Sequence, residues 1–206
     1  MRQLQIYLFL LLTIVSNLTN ATESKRILVL GDSLSAGYGI DIEQGWVKLL
    51  EQELTQNHVI AITNASVSGE TSSGGLARLP ALLAQHQPHI VILELGGNDG
   101  LRGQPLKLLQ KNLQAMIALC QAKNAKIILA GMQIPPNYGA RYATQFKTTY
   151  FQLAEKNALL LIPFLLEGVA GKGELIQADG IHPKAEAQPI IMENVAPILI
   201  KALSTK

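Results

Sequence analysis

The chain has 206 residues, of which 48% are hydrophobic and 16% charged, and its formal net charge is +2. Charges of one sign form no block, and the 5% of aromatic residues are not interleaved with basic ones, so the composition predicts no nucleic-acid partner. This length and apolar fraction are sufficient for one sizeable core and favour a single domain.

Residues 1–21 have the pattern of a secretory signal peptide. Arg2 supplies a positive charge, residues 6–15 are apolar and uncharged, and small Ala21 follows a polar stretch. The apolar run is too short for the roughly 20 residues that cross a bilayer as a helix. We expect cleavage near Ala21, export, and one mature domain over residues 22–206, with an uncleaved anchor as the alternative. Cys120 is the single cysteine and excludes an intrachain disulfide; its helical apolar surroundings predict a buried thiol.

Five short apolar runs predict the strands of a sheet: residues 26–31, 58–63, 89–95, 126–132 and 158–164. They are continuously apolar, which is typical of strands covered on both faces. Helical patterns follow each strand, over residues 45–56, 74–86, 106–123, 142–157 and 184–203. This alternation predicts an α/β fold with three layers, in which helices cover a doubly wound parallel sheet of five strands.

Glycine-rich and polar segments follow the first four predicted strands. They read GDSLSAGYG (31–39), NASVSGETSSGG (64–75), GGNDGLRG (96–103) and QIPPNYGAR (133–141), and DGIHP (179–183) precedes the last helix. Binding and catalytic sites of open parallel sheets gather at the carboxyl ends of the strands. These segments are therefore the predicted location of the chemistry.

Ser33 lies in the predicted turn between the first strand and the helix after it. Gly31 and Gly37 allow a sharp turn, and Asp32 and Ser35 are short side chains able to cap free amides. A serine at the positive end of a helix suits a nucleophile. A capping serine in a tight turn would have the same local sequence.

A nucleophilic serine needs a base and a group that orients the base. In DGIHP, the spacing of Asp179 and His182 allows the carboxylate and the imidazole to meet within one turn. The alternatives are a turn-forming aspartate and a surface histidine before a helix.

Acyl transfer also needs hydrogen-bond donors for the developing oxyanion. The backbone N–H groups of Ser33 and Gly69 and the side-chain amide of Asn98 are the candidates, although glycine and asparagine are also common in turns. Four weak signals at different strand ends of one sheet reinforce one another.

Ser33, Gly69, Asn98 and His182 occur in the order of the four sequence blocks of the SGNH, or GDSL, hydrolases, and the chain resembles that family over nearly the whole mature region. The resemblance implies a flavodoxin-like sheet of order 2-1-3-4-5, an acyl-enzyme mechanism without metal or cofactor, and export to the periplasm. It also implies Ser33 as nucleophile, His182 as base and then acid, and Asp179 as its orienter. The oxyanion hole is implied to consist of Ser33, Gly69 and Asn98.

The substrates implied by the resemblance are small molecules: acyl-CoA thioesters, lysophospholipids, and aryl or alkyl esters. Contact with lipid is expected to be transient, and no obligate protein partner is implied. A carbohydrate O-deacetylase with the same triad stays open, as does a non-catalytic binding domain.

A metal-dependent phosphoesterase using Asp32, Glu94 and Asp99 is a weaker alternative. Such a site would need several histidines near these carboxylates. His58, His86 and His89 are instead predicted at the opposite edge of the sheet.

Overall fold

The computed structural model describes residues 24–204, so the predicted signal peptide lies outside the described residues. Five parallel strands form one sheet in the order β2-β1-β3-β4-β5. The strands are β1 Lys25–Gly31, β2 Ile60–Asn64, β3 Ile90–Glu94, β4 Lys126–Ala130 and β5 Leu160–Ile162. The predicted fold class and strand order are confirmed.

Helices cover both faces of the sheet. The helices are α1 Ser33–Ala36, α2 Trp46–Leu54, α3 Ser72–His86, α4 Gly97–Leu101, α5 Leu106–Ala122, α6 Ala140–Lys156 and α7 Gln188–Ser204. Helix α2 packs on α7, whereas α3 packs on α5 and α5 on α6, which gives the two outer layers. No helix of the described residues is long and apolar enough to cross a membrane.

The central strands are apolar because both of their faces are covered. Every residue of β3 is buried, as are residues 27–31 of β1, whereas β2 at the edge buries only Ile60. Trp46, Phe146 and Tyr150 contribute the largest fully buried side chains from the helices. Cys120 is also fully buried, as predicted, and burial raises its pKa to about 12.

Several predicted element boundaries shift in the structure for local reasons. Strand β2 begins at Ile60 rather than at His58, because the His58 N–H donates to the Leu54 carbonyl and continues the end of α2. Helix α7 begins at Gln188, since a 3-10 turn occupies Ala185–Ala187. At the edge of the sheet opposite the glycine-rich segments, His89 Nδ1 accepts a hydrogen bond of 3.0 Å from the Arg26 N–H.

Candidate active site

Helix α1 begins directly at the carboxyl end of β1 and places Ser33 in its first position. Asp32 caps the helix, since its Oδ1 accepts from the Leu34 N–H at 3.0 Å, and Gly37 ends the helix in the left-handed conformation at φ 73°. Asp32 thus caps as predicted. The Ser33 side chain is consequently fixed at the sheet edge where the segments after β2 and β3 also arrive.

Gly31 and Ser35 act differently from the expectation. Gly31 has no left-handed φ; it is required because a Cβ there would collide with the Glu94 carboxylate. Among residues 24–204, the Ser35 hydroxyl accepts from no backbone amide, and its Oγ donates instead to Glu94 Oε2 at 2.6 Å. The GDSL turn is therefore built around a buried glutamate from β3.

Ser33, His182 and Asp179 form a continuous hydrogen-bonded relay. His182 Nε2 lies 2.9 Å from Ser33 Oγ, and His182 Nδ1 lies 2.6 Å from Asp179 Oδ2. Ser33 is 149 residues from His182 along the chain, so this contact depends on the fold as a whole. The arrangement is suited to removing the proton from the serine hydroxyl.

The loop that carries Asp179 and His182 fixes the carboxylate through its own backbone. Asp179 Oδ1 accepts from the N–H groups of Ile181 at 2.9 Å and His182 at 3.0 Å. The backbone hydrogen bond from His182 is the largest cause that lowers the pKa of Asp179 to about 2, followed by the side-chain bond to the same residue. Asp179 is therefore ionised at any pH near neutrality and able to stabilise a protonated imidazole.

Asn98 joins the two other segments of the predicted oxyanion hole. Its Nδ2 donates to Asp32 Oδ2 at 3.1 Å and to the Glu70 carbonyl at 2.9 Å, which are neighbours of Ser33 and Gly69 respectively. Within residues 24–204, the backbone N–H groups of Ser33 and Gly69 have no hydrogen-bond acceptor. Asn98 thus connects the residues that neighbour these two N–H groups.

Asp32 and Glu94 form a buried acidic pair beneath this site. The Asp32 N–H donates to Glu94 Oε2 at 3.1 Å, and Glu94 is fully buried. Burial is the largest cause that raises the pKa of Asp32 to about 6. Burial first, and then the negative charge of Asp32, hold the pKa of Glu94 well above its ordinary value of 4.5. Burial and the proximity of the two carboxyl groups therefore disfavour the state in which both are ionised.

The three carboxylates of the metal alternative, those of Asp32, Glu94 and Asp99, each accept hydrogen bonds from nearby protein groups. Asp99 accepts from the Ser72 N–H at 2.8 Å and the Ser72 hydroxyl at 2.5 Å, and so attaches α4 to the start of α3. Over the described range 24–204, no three or more His, Cys, Asp or Glu residues are grouped in a way that could hold a metal ion.

The Glu94→Gln variant is expected to have a weaker dependence of stability on pH than the wild type. Folded Glu94 keeps a proton at pH values where the unfolded chain, titrating near 4.5, has lost it. The free energy of unfolding therefore falls as pH rises, by up to about 1.4 kcal/mol per pH unit for one proton. Glutamine preserves the acceptor for Ser35 but carries no such proton. Urea unfolding at intervals from pH 5 to pH 8 measures the difference.

Glu53→Gln is the matched control for this measurement, because Glu53 is exposed on α2. Its curve of unfolding free energy against pH should be parallel to that of the wild type. A Glu94→Gln curve parallel to the wild type as well would show that Glu94 ionises normally in the folded protein.

Two residues without a predicted role also contact the site. The ring centroid of Tyr38 lies 4.4 Å from that of His182, and Gln177 Nε2 donates to the Tyr38 carbonyl at 2.8 Å. Sequence reasoning did not single out either residue, since neither lies in a spacing that indicates chemistry.

Comparison with known proteins identifies the family of the chain. Residues 29–189 match the model of the GDSL-like lipase/acylhydrolase family. The chain belongs to this family. The matched segment begins in β1 and extends beyond His182 into α7, so it includes every residue of the site described above.

Named relatives of the chain hydrolyse ester bonds. Esterase TesA of Pseudomonas aeruginosa is 50% identical over 88% of this chain and 91% of its own length. Thioesterase 1/protease 1/lysophospholipase L1 of Escherichia coli K12 is 44% identical over 85% of this chain and 84% of its own length. The crystal structure of the psychrotrophic esterase EstA from Pseudoalteromonas sp., inhibited by monoethylphosphonate, has a TM-score of 0.84 and 45% identity, covering 88% of this chain and 100% of that one. The protein is accordingly an ester-bond hydrolase.

Proposed function

We propose that the protein is an exported serine esterase that cleaves carboxylic esters and thioesters through an acyl-enzyme on Ser33. The relay of 2.9 and 2.6 Å from Ser33 through His182 to Asp179 is the observation that supports this proposal most strongly. It supplies an activated hydroxyl at neutral pH without a cofactor.

In the first half of the reaction, Ser33 Oγ attacks the carbonyl carbon of the substrate while His182 Nε2 accepts the hydroxyl proton. Ionised Asp179 stabilises the imidazolium that results. The negative charge on the former carbonyl oxygen is stabilised by the N–H groups of Ser33 and Gly69 and by Asn98 Nδ2. Before reaction, Asn98 Nδ2 donates to Asp32 and Glu70. One of these two hydrogen bonds is then exchanged for a hydrogen bond to the oxyanion.

In the second half, the tetrahedral intermediate expels the alcohol or thiol, which leaves with the proton from His182. Water then attacks the acyl-Ser33 ester while His182 acts as base again, and the acid is released with Ser33 restored. The same three donors stabilise the second oxyanion.

The proposed substrates carry apolar acyl chains: acyl-CoA thioesters, lysophospholipids, and aryl or alkyl esters. Val67 and Ile181 are 46% and 44% exposed and lie two residues from Gly69 and one residue from His182. Exposed apolar side chains this near in sequence to the proposed site residues support an acyl tail over a sugar. The printed functions of the Escherichia coli relative, thioesterase and lysophospholipase, also support this range.

Residues 1–21 are proposed to direct export to the periplasm, and residues 22–206 to form the mature hydrolase domain. Contact with lipid would then be confined to the encounter with lysophospholipid. N-terminal sequencing of protein from a periplasmic extract tests this proposal. A mature chain beginning near Thr22 is expected, and an intact Met1 in a membrane fraction would contradict it.

Parallel hydrolysis assays test the proposed substrate class. Purified protein and its Ser33→Ala variant would be given p-nitrophenyl esters and acyl-CoA thioesters of two to sixteen carbons, lysophosphatidylcholine, and an acetylated oligosaccharide. We expect Ser33-dependent cleavage of medium-chain esters and thioesters, unchanged by EDTA. Cleavage of the acetylated sugar alone would favour an O-deacetylase, and loss of activity in EDTA would contradict the serine mechanism.

A further inference from the structure

We propose that Tyr38 and Gln177 form a clamp that holds the His182 ring in line with Ser33, and that both are positioning residues for the reaction. The inference rests on the proposed function and adds two residues to it. The clamp consists of the Tyr38 ring, the Tyr38 backbone and the Gln177 side chain.

The side-chain hydrogen bonds of His182 do not contact the faces of its ring. They connect the two nitrogens to Ser33 and Asp179, and both lie at the ring edge. The base lies on an exposed loop, where 37% of the Asp179 side chain is accessible to solvent. A contact on a ring face adds a further restraint, perpendicular to the ring.

The Tyr38 ring supplies that perpendicular restraint. Its plane is inclined by 39° to the His182 ring at a centroid separation of 4.4 Å, so it covers one face of the imidazole. The negative face of an aromatic ring also attracts a nearby cation, and His182 becomes cationic when it takes the serine proton. The contact therefore favours both the position of the base and its protonated intermediate.

The backbone of Tyr38 is hydrogen-bonded to the backbone of Ser33. Its N–H donates to the Ser33 carbonyl at 3.1 Å, and the same carbonyl accepts from the Gly37 N–H that ends α1. These backbone hydrogen bonds thereby connect the residue that carries the nucleophile to the residue whose ring covers His182.

Gln177 connects the other side of the clamp to the loop that carries the base. Its Nε2 donates to the carbonyls of Tyr38 at 2.8 Å and Pro183 at 3.0 Å, and its backbone N–H donates to the His182 carbonyl at 2.8 Å. Gly39 has a left-handed φ of 75°, and its missing Cβ leaves the room that the Gln177 amide occupies. The side chain thus joins two segments 139 residues apart.

The exposure of Tyr38 argues against a role confined to the core. About half of its surface, 51%, is accessible to solvent, and its ring contact is made with the proposed base. Removing an exposed aromatic side chain usually changes stability little. A loss of turnover at unchanged stability would therefore identify positioning.

The test compares Tyr38→Ala, Tyr38→Phe and Gln177→Ala with wild type, using kcat and KM for a p-nitrophenyl ester together with Tm. Displacement of a catalytic group by about 1 Å can cost on the order of 10²-fold, so we expect kcat of Tyr38→Ala to fall about 10- to 100-fold. Its KM should change less than about twofold, and Tyr38→Phe should recover kcat to within about twofold because the ring remains. Gln177→Ala should lower kcat in the same way.

Two controls sharpen this experiment. Phe151→Ala removes a comparably exposed ring from α6, 38% accessible, and should leave kcat unchanged. The double variant Tyr38→Ala/Gln177→Ala should lose less activity than the product of the two single losses, because both act through one contact.

Wild-type kcat in Tyr38→Ala, a change in KM alone, or failure of Tyr38→Phe to recover activity would overturn the clamp. The proposed function is judged separately by the dependence of wild-type hydrolysis on Ser33. If wild-type hydrolysis depends on Ser33 and Tyr38→Ala has wild-type kcat, the clamp proposal is contradicted and the esterase proposal is supported. A wild type whose hydrolysis does not depend on Ser33 would overturn both proposals.

Discussion

Ser33→Ala is expected to lower kcat/KM for a p-nitrophenyl ester by about 10³-fold or more, which is the cost of losing a triad nucleophile. Alanine removes the oxygen that lies 2.9 Å from His182 Nε2, which is the atom that forms the proposed acyl-enzyme. The fold should persist, because the hydroxyl is not part of the core. Initial rates at matched concentration, with Tm measured on the same samples, provide the comparison.

Ser66→Ala is a matched control for Ser33→Ala. Ser66 lies in the segment after β2, and its buried hydroxyl has no hydrogen-bond partner among residues 24–204. Its removal should leave kcat/KM at the wild-type value. If Ser33→Ala and Ser66→Ala were equally active, Ser33 could not be the nucleophile.

Asn98→Ala should lower kcat by about 10²- to 10³-fold, a smaller loss of activity than that of Ser33→Ala. Removal of one oxyanion donor has this effect in serine hydrolases. The donor acts on charge that develops in the transition state, so KM should change much less than kcat. Steady-state kinetics over a full range of substrate concentrations separate the two constants.

Asn98→Asp provides a sharper version of the same test. The side chain keeps its shape, but the amide donor becomes an acceptor beside Asp32 Oδ2, its partner at 3.1 Å. We expect a loss at least as large as that of Asn98→Ala. An Asn98→Asp enzyme with wild-type kcat would exclude Asn98 from the oxyanion hole.

Continuous apolar runs made the sheet predictable from sequence. Residues 27–31 of β1 and every residue of β3 are buried, and the charged residues of these two strands lie only at their ends. Helices α1 and α4 are only four and five residues long, too short to show an amphipathic period, so their segments were predicted only as turns. Boundaries such as the start of β2 depended on one hydrogen bond, from His58 to Leu54.

The residues of the candidate site were predictable because their types and order are distinctive at the ends of the strands. Their supports were not, because these depend on contacts between distant segments. Nothing in the local sequence of Glu94 indicates that its carboxylate lies under Gly31 and beside Ser35. Tyr38 and Gln177 meet across 139 residues, and nothing in either local sequence indicates the contact.

Mapping a covalent adduct tests the central claim most directly. The protein would be treated with a fluorophosphonate, digested, and the modified residue located by tandem mass spectrometry. The relay from Ser33 to His182 and Asp179 predicts one adduct, on Ser33, which is absent from Ser33→Ala and forms much more slowly in His182→Ala. Modification of Ser35, Ser68 or Ser72 instead, or an unmodified protein that still hydrolyses esters, would contradict it.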